Sequence, residues 1–178
     1  MLYLALVKLR RPMEPIPPKN QPPEDWREIH AAWQGGNSFN GRTSKGNLIP
    51  MGSISEAGAS PMELLLVSLA GCTGMDVIDI LNKKRKNIDR FEITVRGMRR
   101  FENPRIYTNI QVYYELWSTD LDCAALEQAI QLSEEKYCSV SAMLGSVAGI
   151  TSSYTIHLPD TPGEESTPQA AKPLSNEA

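Results

Sequence analysis

The chain has 178 residues, which suits one domain with ragged ends. Apolar residues make up 41% and charged residues 22%, the balance of a globular protein able to bury a core. A net charge of −3 leaves no nucleic-acid footprint, and Glu63, Asp76 and Asp79 interrupt the most apolar stretch, so neither nucleic acid nor a membrane is an expected partner.

Residues 1–24 read as an N-terminal tail and linker. The apolar run Met1 to Val7 is followed, not preceded, by positive charge and lacks a small-residue cleavage site, so it makes a poor signal peptide. Its other readings are a strand, an interaction tail, or an extension ahead of a true start at Met13. A reducing cytoplasm is the expected location. Residues 12–24 carry six prolines and read as an extended linker.

The folded domain is expected over 25–158, beginning near Trp26. Ile29, Ala31 and Trp33 alternate with more polar neighbours, as in a strand. Gly35-Gly36-Asn37 is a turn, Ser38 to Gly41 returns as a second strand, and Asn47 to Met51 is a third. Gly52 to Ala59 is a loop.

Ser60 to Lys86 reads as one long helix. Pro61 fits the first helical turn, where no N–H is needed. Ser60 and Glu63 have the spacing of a capping box, and Lys83 to Lys86 complement the negative end of the helix dipole. From Met62 to Cys72 only Glu63 and Ser68 are clearly polar, which predicts a helix buried nearly all round.

Phe91 to Met98 alternates like a half-buried strand. After the break at Asn103-Pro104, Ile106 to Trp117 is β-branched and aromatic, and the two segments predict a hairpin. Thr119 or Asp120 caps a second helix, striped by Leu126, Ala129, Ile130, Ser133 and Tyr137. Ser139 is a plausible cap for a short third helix, Val140 to Val147. Ile150 to Leu158 is the last strand. Residues 159–178 are polar and proline-rich and are expected to be disordered.

The order predicts an α+β fold: a mainly antiparallel sheet with a long central buried helix. A homodimer sandwiching its helices between two sheets would cover that helix; a monomer with the helix on its own sheet is the alternative.

Three widely spaced cysteines, no CxxC and two distant histidines give no disulfide framework and no metal-ligand pattern, and there is no GxSxG elbow. No cofactor or metal is expected. Cys123 reads as an ordinary small residue of its helix. Cys72 and Cys138 have more distinctive contexts: SPMELLLVSLAGC and, much later, LSEEKYCSVSAML.

These two motifs and the order of elements, over roughly Trp26 to Leu158, resemble the OsmC/Ohr family of thiol peroxidases. The resemblance implies an intertwined homodimer in which Cys72 attacks an organic hydroperoxide and becomes a sulfenic acid. Cys138 then resolves it as a disulfide, and a thiol or dithiol reductant restores both. It also implies a glutamate and an arginine at the site. The family's glutamate directly follows the proline; here that position is Met62, and Glu63 is one place further on, about 100° around a helix. Glu63 is the candidate, with a capping role as its other reading. Arg42 in FNGR is the candidate cation, with Arg27 as a second choice.

Asp76 and Asp79 follow Cys72 by four and seven positions on about its helix face, where they would raise its pKa if they stay near the sulfur. Glu134 and Glu135 stand similarly close to Cys138. An apolar lining from Leu65, Leu69 and Met75 would favour organic hydroperoxides. The expected function is thiol-dependent reduction of organic hydroperoxides. The alternative is a non-peroxidatic member of the same fold that binds a small apolar or electrophilic ligand or senses redox state.

Overall fold

A computed structural model of the chain describes residues 27–53, 58–158 and 172–173. The expected tails, 1–24 and 159–178, lie outside the described residues except for Lys172–Pro173, and so does Trp26. The elements run β1 (His30–Gly35), β2 (Ser38–Arg42), β3 (Leu48–Met51), α1 (Pro61–Lys83), β4 (Arg90–Arg99) and β5 (Tyr107–Trp117). There follow α2 (Cys123–Leu132), a π-helical turn (Ser133–Tyr137), α3 (Ser139–Gly145), β6 (Gly149–His157) and β7 (Lys172–Pro173).

The mixed α+β architecture matches the expectation from sequence. Strands β1-β2-β3 form one antiparallel sheet, and β4-β5-β6-β7 form the other. The predicted hairpin is present as the β4–β5 pair, running from Arg90 opposite Trp117 to Arg99 opposite Tyr107. One pairing departs from the antiparallel pattern: β6 lies parallel to β5. Parallel neighbours need a long crossover, and α2, the π-helical turn and α3 supply it.

Helix α1 starts as its sequence dictates. Ser60 Oγ accepts from the Glu63 amide at 3.2 Å, and Glu63 Oε2 accepts from the Ser60 amide at 2.8 Å. The helix stops at Lys83, short of the expected Lys86, because Arg85 takes a left-handed backbone with φ 58°. Lys86 then reaches forward to Asp122, with Nζ–Oδ2 at 2.8 Å, and to the Asp120 carbonyl.

That contact bears on where α2 begins. The cap is Asp122, not Thr119 or Asp120: Asp122 Oδ1 accepts from the Ala125 amide at 2.8 Å. Asp120 is engaged elsewhere, its Oδ1 accepting from the Asn87 amide and the Ser118 hydroxyl.

The core lies between the β4–β6 face and the helices. Leu69, Val77 and Leu81 of α1 meet Ile110, Val112, Tyr114 and Leu116 of β5 and Leu126, Ala129 and Ile130 of α2. Burying each large aliphatic side chain stabilises the fold by about 2 kcal/mol. Gly74 lets α1 approach the sheet, since a Cβ there would sit 2.7 Å from Ile93 Cδ1.

Within one chain this cover is one-sided. Only the stripe Leu69, Thr73, Val77 and Leu81 of α1 is buried, while Val67 is 63% and Met75 69% exposed. By length and composition α1 could cross a membrane, but its buried stripe belongs to the core. The three-stranded sheet joins the body through the Met51–Ala59 bridge and leaves Ile29, Trp33, Phe39, Leu48 and Ile49 exposed.

Candidate active site

Cys72 lies mid-way along α1, one position before the buried Thr73. Cys138 arrives from the other side of the core through the π-helical turn. Its amide donates to the Ser133 carbonyl five residues back, at 2.7 Å, and the widened turn ends there. Cys138 itself, not Ser139, then caps α3: its Sγ accepts from the Ser141 amide at 3.3 Å. The side chain is buried, with 2% exposure.

The two sulfurs and a carboxylate oxygen of Asp76 lie within 4.8 Å of one another. Cys72 and Asp76 share a helix face through their four-residue spacing. Both cysteines are free thiols. A disulfide bond is about 2.05 Å long, so closure asks for a short movement of side chains already on facing elements.

A buried polar network holds this arrangement. Ser133 Oγ donates to Asp76 Oδ2 at 2.9 Å and lies 3.0 Å from Thr73 Oγ1, which in turn lies 2.8 Å from the Tyr114 hydroxyl. It ties α1, β5 and the π-helical turn together. Sequence spacing pointed to Asp76. Ser133 stood in the expected helix stripe with no role at the site, and Thr73 and Tyr114 carried no such signal. Asp79 stands apart from the cluster.

Burial pushes the Cys138 thiol up, the side chain and the amide of Ser141 oppose this, and the neighbouring Cys72 adds to the rise. Burial pushes the Glu134 carboxyl up as well, with its hydrogen bond from Ser152 partly offsetting the effect. Tyr114 is raised by burial. Glu135 is exposed and accepts from Gln131.

The remaining candidates sit elsewhere. Glu63 is exposed, and the hydrogen bonds from the side chain and backbone of Ser60 hold its carboxyl below the usual range. Met62, one position earlier, turns inward against the core, and its carbonyl accepts from the Tyr107 hydroxyl. Arg42 donates to the Gly46 carbonyl within its own hairpin, at 3.1 Å. Among the described residues, no hydrogen bond or ion pair joins Arg42 to α1. Arg27 precedes β1 on the same small sheet. Leu69 belongs to the core, whereas Leu65 and Met75 are exposed. A shallow cleft of about 300 Å³, lined by Glu134, Ser141, Gly145, Ala148, Gly149 and Ile150, opens beside α3 and meets the site through Ser141.

The profile of the family described as OsmC-like protein matches residues 54–153, which include both site cysteines. The chain belongs to the OsmC-like family. Protein YhfA of Escherichia coli K12 is 38% identical over 130 residues, covering 72% of this chain and 97% of YhfA. Among solved structures, a hypothetical protein from Aquifex aeolicus VF5 superposes with a TM-score of 0.70 at 37% identity, covering 77% of this chain and 100% of that one. An organic hydroperoxide resistance protein OsmC from Legionella pneumophila superposes with a TM-score of 0.57 at 14% identity, covering 72% and 96%, a likeness of fold. The matched residues take in α1, the β4–β5 hairpin, the crossover and most of β6.

Proposed function

We propose that the protein reduces organic hydroperoxides with Cys72 as the attacking thiol and Cys138 as the resolving one. The single observation behind this reading is the approach of the two sulfurs to within 4.8 Å from different elements. The Cys72 thiolate attacks the outer oxygen of ROOH; the O–O bond breaks, and the alkoxide takes a proton and leaves as ROH. The resulting sulfenic acid condenses with the Cys138 thiol, forming the S–S bond and releasing water. A thiol or dithiol reductant, oxidised in turn, restores both thiols by exchange. The raised pKa of Cys138 suits a group that stays protonated until the sulfenic acid forms.

The protein would act as a homodimer in a reducing cytoplasm. The exposed apolar residues of α1 and of the three-stranded sheet support a second copy as their cover. Arg42 stands on that sheet, so a second copy is also what would carry a guanidinium to the thiols. Glu63, engaged in its capping box, would need to leave Ser60 to take part.

The test is consumption of cumene hydroperoxide with a dithiol reductant, wild type beside Cys72→Ser. Loss of peroxide in the wild type alone supports the reading; equal loss in both overturns it. The inward Met62 and the local bonds of Glu63 and Arg42 favour a second reading, a ligand-binding or redox-sensing protein without turnover. Under that reading Cys72 reacts with an electrophile once, and no reductant-dependent turnover follows.

A further inference from the structure

We propose that Cys72, Asp76 and Cys138 together bind a thiophilic divalent cation of the zinc type when both cysteines are reduced, with the fourth position open to water or a small ligand. The donors are two sulfurs and one carboxylate oxygen, mutually within 4.8 Å. Bond lengths of about 2.3 Å to sulfur and 2.0–2.2 Å to oxygen place tetrahedral donors about 3.6–3.8 Å apart. The site therefore needs only a modest contraction of side chains, with Cys72 and Asp76 already one helical turn apart.

The surroundings are those of a metal centre with its ligands supported from behind. The Ser133 hydroxyl holds Asp76 Oδ2 at 2.9 Å and leaves the other carboxylate oxygen for the cation. The Ser141 amide points at Cys138 Sγ from 3.3 Å. Ser133 is fixed in turn by Thr73 and Tyr114. No ion pair neutralises Asp76 among the described residues. Binding displaces the two thiol protons, and the divalent cation balances the thiolates it holds. Two thiolates select zinc over magnesium or calcium, which prefer oxygen. Three protein ligands with an open fourth position is the pattern of reactive rather than closed structural zinc sites. This site stands apart from the peroxidase reading, because it requires only that both thiols be reduced. A Cys72–Cys138 disulfide and the bound cation exclude each other, since the same two sulfurs serve both.

The experiment is an anaerobic titration of the reduced full chain with Co2+, followed by the thiolate-to-metal charge-transfer absorption and then by displacement with Zn2+. One Co2+ per chain with that absorption, displaced by Zn2+, is the expected result. Cys72→Ser and Cys138→Ser should each abolish it. Serine is itself a good N-cap, so Cys138→Ser keeps the start of α3. Asp76→Asn should weaken binding by about tenfold or more, and Cys123→Ser should leave it unchanged. Absence of the absorption in the wild type would overturn the proposal. So would binding that survives Asp76→Asn at full strength, or that Cys123→Ser removes. Peroxide consumption can fail with Co2+ binding intact, so the two readings fail separately.

Discussion

Ser133 donates its hydroxyl to Asp76 across 2.9 Å, and this bond ties the π-helical turn leading to Cys138 to the helix that carries Cys72. Ser133 is fully buried and also contacts Thr73, so its hydroxyl has no water to fall back on. Ser133→Ala leaves buried polar neighbours short of a partner. We expect a loss of about 1–3 kcal/mol in urea-induced unfolding. The Cys72–Cys138 disulfide should also form more slowly, as read by loss of free thiols after one equivalent of oxidant.

The two cysteines should fail in different ways. Cys72→Ser is expected to abolish peroxide consumption. Without reductant, Cys138→Ser should still consume about one equivalent per chain and then hold Cys72 as the sulfenic acid, because no resolving thiol is present, whereas the wild type ends as the disulfide. Trapping with dimedone, read by mass spectrometry, should mark Cys72 in the second variant and nothing in the first.

The pH dependence follows from the burial of Cys138. Its thiol is raised above the ordinary value, so at neutral pH it is held protonated in the folded protein. The thiolate fraction grows as pH rises through that raised value and falls below it. Resolution of the sulfenic acid should therefore accelerate with pH into the alkaline range. Ser141→Pro removes the amide that favours the thiolate and should move the limb further up. Stopped-flow measurement of disulfide closure in single turnover checks both.

Val67 separates assembly from folding. It is 63% exposed on α1, on a helix whose other stripe fills the core. If the chain pairs as the proposed homodimer, Val67→Glu should leave the helical circular dichroism intact but give a monomer where the wild type gives a dimer in light scattering after size exclusion. A variant that remains dimeric would place the interface elsewhere.

Gly74 is the close approach between α1 and β4. A Cβ there would sit 2.7 Å from Ile93 Cδ1. Ile93 can yield a little to alanine, but the branched Gly74→Val is expected to cost about 1–3 kcal/mol through overpacking. Denaturant titration reads it directly.

What the sequence could determine was what neighbouring residues decide among themselves. The capping box at Ser60 and Glu63, the proline at the first turn, the alternation along β5 and the stripe of α2 are local agreements between side chain and backbone period. The SPMEL…AGC and EKYCSV motifs likewise pointed to the family. Tertiary structure alone decided the rest. It made β6 parallel to β5, and it moved the α2 cap to Asp122 because Asn87 and Ser118 had engaged Asp120. It chose Asp76 over Asp79 as the carboxylate beside the sulfurs, and it left Glu63 and Arg42 in local bonds. Cys72 and Cys138 stand 66 positions apart in the sequence (138 − 72), and Asp76 and Ser133 stand 57 apart. No local preference encodes such a pairing; it follows from packing α1 and the crossover against one sheet.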